Sequence, residues 1–314
     1  MWCGVLVSPH HHRVLFRGRA GTPKAVCAKT YHMSVDTLTR YIDKIVDHLC
    51  DVIGPTALHG PWEDPRNPRG PHEPSVEEFQ AYAELFDNIT NKMFPGVVAA
   101  VDGTILPIEA PTQRSMEWYF GGPGPHSHRP FMTRKMHMGM NVVACCDGRC
   151  RFTAFHTRFP GSVGDSRAFG LTRVGKRILE ENSHDEPNSV FAFMQQHGFC
   201  FVGDPAFGDG DTMWVPHSGT LGGGPLGDIR RKCDHIQSRL RIRIEMAFGM
   251  LKMRFAILRR PFPAGLGLRR FVRTTKALGV LHNCKCHART CSGATFLRCC
   301  CLCSDVAVML LRCW

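Results

Sequence analysis

The chain is predicted to fold as an α/β protein, a mixed sheet flanked by helices and preceded by a small helical region. Three observations lead there. Apolar runs at Val97–Val101 and Phe199–Val202 read as buried strands. Between them, Lys135–Cys146 and Arg151–Phe159 read as two strands joined at Asp147-Gly148, a hairpin signal. Helical periodicity flanks these strands, over Ser75–Met93, Asp165–Glu180 and about Ile229–Ile257. Strands and helices in this order suit a single sheet with helices packed on it.

Along the chain, residues 1–22 show no periodicity and are read as a disordered, basic lead-in. Residues 23–59 read as a partial helix-turn-helix. Pro23–Tyr31 makes a short helix, His32-Met33 a turn, and Ser34 the N-cap of a helix starting at Val35. Leu38, Ile42, Ile45, Val46 and Leu49 keep helical spacing on that second helix. Residues 60–74 form a linker in which prolines at 61, 65, 68 and 71 forbid regular structure. From residue 75 to residue 283 the chain reads as one domain. Ser75 and Glu78 resemble a capping box at its first helix. A glycine-rich loop, Gly219–Gly227, leads into its last long helix, where Ile236, Leu240, Ile244, Phe248, Leu251 and Phe255 form one apolar stripe. Residues 284–314 are a cysteine-rich tail.

Composition narrows the function classes. A 43% hydrophobic content with 21% charged residues suits a globular chain with a real core. Thirty-nine Lys and Arg against 27 Asp and Glu give +12. Ten Lys or Arg against two acids lie between Arg230 and Arg260, a surplus of eight within one short stretch. A polyanionic partner follows, nucleic acid first and an anionic membrane surface second. No run reaches the ~18 apolar residues of a membrane span. Without a basic leader or a long apolar start, the chain reads as intracellular, with its 16 cysteines reduced.

Three acids stand where chemistry on a phosphodiester would need them. Asp102 closes the apolar run that begins at Gly96, Asp204 closes the one that begins at Phe199, and Glu245 interrupts the basic helix. Oxygen ligands from two strands and a helix are what a pair of hard divalent ions requires. Each acid also has a purely structural reading. Asp-Gly-Thr and Gly-Asp-Pro are ordinary turn sequences, and Glu245 has Arg241 one helical turn away as an ion-pair partner. From these residues alone both readings stay open.

The order of several motifs is more specific. Val101-Asp-Gly-Thr104, Pro160-Gly-Ser-Val-Gly-Asp-Ser-Arg167, Gly203-Asp-Pro-Ala-Phe207, the segment Ile244–Phe255 and Leu281-His-Asn283 follow one another over nearly 190 residues. Together they resemble the DDE endonuclease domain of PIF/Harbinger-type transposases and the nucleases derived from them. The resemblance implies a ribonuclease H-like fold with Asp102 on the first strand, Asp204 on the fourth and Glu245 on a following helix. It also implies a metal-dependent DNA endonuclease that uses two divalent ions, Mg²⁺ or Mn²⁺. Asp204 rather than Asp165 is taken as the second acid, because it ends a strand and has 40 residues between it and Glu245, while Asp165 more naturally caps a helix. Asp165 is given a supporting role. Gly164 stands where the family usually has His, Phe207 where Tyr is typical, and the Asn-x-x-x-Ser element is altered around Asp234–Ser238.

DNA is the expected partner, with Arg241, Arg243, Lys252 and Arg254 on the long helix and Arg40 and Lys44 on the N-terminal helix as phosphate contacts. By the same resemblance, a separate Myb-like protein supplies DNA recognition and entry into the nucleus. Homo-oligomerisation is left open. The alternative reading is a catalytically inactive, transposase-derived DNA-binding protein. A third, a zinc module, would use His282, Cys284, Cys286, His287, Cys300 and Cys303 of the tail, which lack the paired spacing of a zinc finger.

Overall fold

The structure, a computed structural model, describes residues 25, 28, 29, 32–67, 72–179, 189–217 and 224–288. The lead-in, most of the glycine-rich loop and the tail from 289 onward lie outside the described residues, as do the tail cysteines considered for zinc there. Residues 25, 28 and 29 are helical, as expected ahead of the turn at His32-Met33. Helix α1 (Val35–His48) is capped by Ser34, whose hydroxyl accepts from the Thr37 N–H at 3.0 Å. It continues through a π-helical turn, Leu49–Ile53, into the short α2 (Gly54–Ala57). Helix α3 (Val76–Thr90) starts at Ser75, which accepts from the Glu78 N–H, and ends at Asn91 in the left-handed conformation.

Five strands make one sheet in the order β3-β2-β1-β4-β5. Strands β1 (Val97–Pro107), β2 (Gly139–Cys146) and β3 (Phe152–Pro160) are antiparallel neighbours, and β4 (Cys200–Val202) and β5 (Met213–Trp214) run parallel to β1. This order and polarity are those of the ribonuclease H-like fold. The remaining helices are α4 (Gln113–Phe120), α5 (Asp165–Gly170), α6 (Arg173–Leu179), α7 (Val190–His197), α8 (Gly224–Arg254) and α9 (Gly267–Ala288). Strand β5 and helices α4, α7 and α9 are not expected from the sequence pattern. No helix among the described residues is long and apolar enough to cross a membrane.

Strand β1 does not stop at Asp102. Strand β2 supplies a partner for every residue from Ala100 to Pro107, so the ladder continues five residues further. The apolar run ends at Val101 because cover on the other side ends there: the last pair with β4 is Ala100 with Val202. The predicted helix Asp165–Glu180 is two helices, since the Thr172 hydroxyl accepts from the Gly175 N–H at 2.9 Å and caps a new start. At the β2–β3 hairpin, Asp147 accepts from the N–H groups of Arg149 and Arg151, and Cys150 takes a positive φ of 62°. Gly148 is required there, because a Cβ would lie 2.4 Å from the Leu85 carbonyl oxygen of α3.

Helix-bearing layers cover both faces of the sheet. One core joins Ala100, Leu106, Val142 and Ala144 of the sheet to Leu240, Ile244, Ala247, Phe248 and Leu251 of α8 and to α9. The same core takes in Leu38, Ile42 and Val46 of α1, so the N-terminal helices bury their stripe against the domain. Ion pairs from Arg270 to Asp43 and from Arg273 to Asp47 and Asp51 reinforce this packing. The second core, on the opposite face, gathers Ala99, Val101, Val143 and Cys145 with Ala168, Phe169, Val174 and Ile178 of α5 and α6.

The proline-rich segment has no helix or strand among its described residues, but it is anchored. Trp62 is fully buried in the second core, its ring 4.9 Å from that of Phe201 on β4. Removing a buried indole leaves a cavity and forfeits its dispersion contacts. Trp62→Ala is expected to cost about 3–5 kcal/mol of stability, read as a lowered midpoint in urea unfolding. A loss below ~1 kcal/mol would mean that this segment is not part of the core.

Candidate active site

The register of the two parallel strands builds the site. Ala100 pairs with Val202, and two residues further along each chain stand Asp102 and Asp204. Parallel strands lie about 4.8 Å apart, and a two-residue step returns each side chain to the same face. The two acids therefore come side by side, on the face where Ala100 and Val202 share a core with α8. Asp102 is half-buried in mid-strand, and its Oδ1 accepts from the Gly103 N–H at 2.8 Å. Asp204 follows the end of β4 and caps a one-turn 3₁₀ helix, Pro205–Phe207, accepting from the Ala206 N–H at 3.0 Å.

Asp165 reaches β1 from behind. Neighbouring strand residues point to opposite faces, so the space of the missing Gly103 side chain lies across the sheet from Asp102. The Asp165 carboxylate fills that space: a Cβ on Gly103 would lie 2.0 Å from its Oδ1. Asn141 of β2 holds it in place, donating from Nδ2 to Asp165 Oδ1 at 2.7 Å and to the Val163 carbonyl at 2.9 Å.

Asp102 and Asp165 resist ionisation. Burial pushes the Asp102 carboxyl up to about 6, and the charges of Asp165 and Asp204 push the same way; the Gly103 N–H and Arg241 oppose them. Asp165 is also raised, by burial first and then by Asp204, against the Asn141 hydrogen bond and Arg134. Burial lowers the Lys252 ammonium, while the Asp102 charge works to keep it protonated.

Helix α8 brings the counter-charges. Arg241, Glu245 and Lys252 recur at spacings of four and seven, one stripe of the helix. Lys252 donates to the Thr104 hydroxyl at 2.6 Å, next along β1 on the Asp102 face. The charge of Arg241 acts on Asp102, and Arg241 also pairs with Glu245 at 2.7 Å. Glu245 itself is exposed, with 46% of its side chain accessible. The helix is pinned at this level by Gln237, fully buried, which donates to the carbonyl of Gly203, the residue before Asp204, at 2.6 Å.

Of the six basic residues expected to meet phosphate, only Arg241 and Lys252 bear on the aspartates. Arg243 is turned toward Cys150 of the hairpin. Arg254 lies against the end of α9, with Nη1 3.0 Å from His282 Nδ1, 3.2 Å from the His282 carbonyl and 3.3 Å from Cys286 Sγ. Phosphate contact by Arg254 would break those bonds. Arg40 and Lys44 are exposed on α1. His282, fully buried, has its Nε2 3.0 Å from the Cys150 carbonyl. Asn141, Gly103 and Gln237 carry no sequence signal as site residues, because each acts through backbone or through a neighbouring carboxylate.

Among the described residues, no three His, Cys, Asp or Glu side chains are gathered closely enough to hold one metal ion. The donor chemistry nonetheless fits hard cations. Asp102 and Asp165, raised by burial first and by neighbouring carboxylates second, belong to an oxygen-only set whose charge a dication relieves. In this arrangement Arg241 and Lys252 supply part of that positive charge.

A family model described as a DDE superfamily endonuclease matches residues 101–283, more than half of the 314-residue chain. No curated protein and no solved structure matches it.

Two outcomes follow. Gly103→Ala is expected to displace the Asp165 carboxylate and to destabilise the fold by about 1–3 kcal/mol. Asp165→Ala in the same chain should restore most of that loss, and a double-mutant cycle in urea measures the coupling. The pH dependence of stability supplies the other. A carboxyl held at about 6 in the fold, against 3.8 for its ordinary value, keeps its proton longer in the folded state than in the unfolded. Its contribution to stability therefore falls as pH rises through that interval and stays low above it. Metal-free Asp102→Asn is expected to melt higher than wild type at pH 7, with the difference vanishing near pH 4. An equal difference at both pH values would contradict the assignment.

Proposed function

The chain belongs to the DDE superfamily endonuclease family, and from that premise we propose a divalent-metal-dependent DNA endonuclease of the Harbinger transposase type. One observation carries this reading: the β1–β4 register sets Asp102 beside Asp204, with α8 crossing the same face. Asp102 would serve both members of a pair of Mg²⁺ or Mn²⁺ ions, and Asp204 and Glu245 one each. Bound there, the ions supply the activation of water and the neutralisation of a leaving 3′ oxygen that hydrolysis of a phosphodiester requires.

The chain's own residues set up that chemistry. Gln237 fixes the height of α8 against the end of β4, and Glu245 would reach the ions from that helix. Lys252, bonded to Thr104, holds a positive charge beside Asp102 without occupying its carboxylate. Asp165, held by Asn141, adds negative charge from behind and strengthens the demand for cations in front. The Arg241–Glu245 pair is a surface interaction of about 0.3–0.5 kcal/mol, so freeing Glu245 costs little. Arg241, once released, is placed to meet a backbone phosphate. Arg40 and Lys44 extend the basic surface on α1, and binding should weaken steeply with salt. Target-sequence reading and nuclear entry fall to a separate Myb-like partner on this reading.

The second reading, an inactive DNA-binding relative, draws on the same Arg241–Glu245 pair, which leaves the third acid turned to an arginine. A cleavage assay with purified protein, supercoiled DNA and Mg²⁺ or Mn²⁺ separates the two. Nicking by the wild type that drops to background in Asp204→Ala is the expected result. Equal behaviour of the two proteins would leave only the DNA-binding reading.

A further inference from the structure

Away from the aspartates, a half-open cleft of about 630 Å³ runs along the free edge of β3. Gly54, Pro55 and Leu58 of the N-terminal region form one wall, and Ala154–Phe159 of β3 form the floor. Helix α9 contributes Lys276 from one side, and α6 contributes Arg173 from the other. Arg158 of β3 completes a set of three basic side chains against one acid, Glu63, a surplus of two positive charges.

Much of this charge is unspent. Lys276 has no hydrogen-bond or ion-pair partner among the described residues, and its stem passes Gly54, where a Cβ would stand 3.4 Å from Cε. The Arg158 guanidinium sits over the Trp118 ring, 5.5 Å from its centroid, and the residue is exposed. Arg173 shares Glu63 at 3.5 Å but remains nearly half exposed. His156 stands near Arg173 and Lys276, but its Nε2 is shielded from solvent. Burial and the charges of Arg173 and Lys276 hold the ring neutral, pushed down to about 4, so it adds no charge to the cleft.

We propose that this cleft binds a phosphate monoester, its dianion seated between Lys276, Arg158 and Arg173. The surplus of two charges matches a phosphate monoester, which carries about −1.5 to −2 at pH 7, better than the single charge of a phosphodiester. The cavity volume suits a body of nucleotide size. Two sources carry this group, a free mononucleotide and the 5′-phosphate end of DNA. Hydrolysis that leaves a 3′-hydroxyl produces such an end, so the second source rests on the proposed nuclease function, whereas the first does not.

The test is calorimetric titration of the full chain with 5′-AMP in the absence of divalent ions, with adenosine as the control lacking phosphate. Wild type is expected to bind 5′-AMP and not adenosine. Lys276→Gln and Arg158→Gln should each weaken binding about tenfold, the loss of one charge-assisted contact. Lys276→Arg should retain binding, and Asp102→Asn should leave it unchanged. Failure of the folded wild type to bind 5′-AMP, or binding that neither glutamine variant weakens, overturns the proposal. So does loss of binding in Asp102→Asn, which would move the site to the aspartates. A preference for a 5′-phosphorylated over a 5′-hydroxyl oligonucleotide, abolished by Lys276→Gln, identifies the DNA end as the source. Equal affinity for the two oligonucleotides alongside 5′-AMP binding identifies the free nucleotide.

Discussion

The parallel pairing of β1 with β4 is the constraint on which the rest of the site depends. A one-residue slip would send Asp204 to the opposite face and break its partnership with Asp102. The register is held by apolar contact on both faces, Ala100 and Val202 in one core and Ala99 and Phe201 in the other. It is held again at the strand end, where Gln237 ties α8 to the carbonyl of Gly203. Half-buried negative charge is the consequence. The fold concentrates Asp102, Asp204 and Asp165 around five residues of strand and sets Arg241 and Lys252 opposite. A local conflict of this kind, charge gathered where burial opposes it, marks a functional site more often than a structural one.

Glu245 occupies a different position in that balance. Its place on α8 is set by the stripe Leu240, Ile244, Phe248 and Leu251, all buried against the sheet. Its side chain, however, is exposed and paired with Arg241. Arg241 thus pairs with Glu245, while its charge also acts at longer range on Asp102. The structural reading of Glu245 as an i,i+4 ion pair and the functional reading as a ligand are therefore not alternatives. A surface pair of this kind is weak, so it does not fix the side chain in one place.

How much was legible in the sequence follows from how far each interaction reaches along the chain. Strands β1 and β2, the hairpin at Asp147 and the caps at Ser34 and Ser75 are local, and apolar patterning or turn chemistry marks them. Strand β5 is two residues long, and α9 is buried on most sides with polar Thr274, Thr275, His282 and Asn283 among its buried residues, so neither announced itself. The extension of β1 past Val101 was hidden because the ladder with β2 continues after burial by β4 has ended. Trp62 lies in a proline-rich segment that reads as linker, although its ring packs on Phe201, far away in sequence. The acids themselves were legible as motifs. Gly103 as the seat of Asp165, and Gln237 as the clamp on Gly203, were not, because each is defined by its partner rather than by its type.

The N-terminal helices gain a meaning from this packing that their sequence outline lacked. A two-helix fragment of a helix-turn-helix buries too little to stand alone, and α1 spends its stripe of Leu38, Ile42 and Val46 on the core that α9 shares. Asn283 joins the same parts, accepting from the Phe152 N–H at 2.8 Å and donating to the Ala57 carbonyl at 2.6 Å. The final motif, Leu281-His-Asn283, thus acts as a structural clamp between hairpin, α9 and α2. Because Gly54, Pro55 and Leu58 line the β3 cleft, that cleft exists only while the N-terminal helices are docked. Occupancy of the cleft is therefore linked to docking by mass action: a ligand bound there stabilises the docked state by as much as it prefers it.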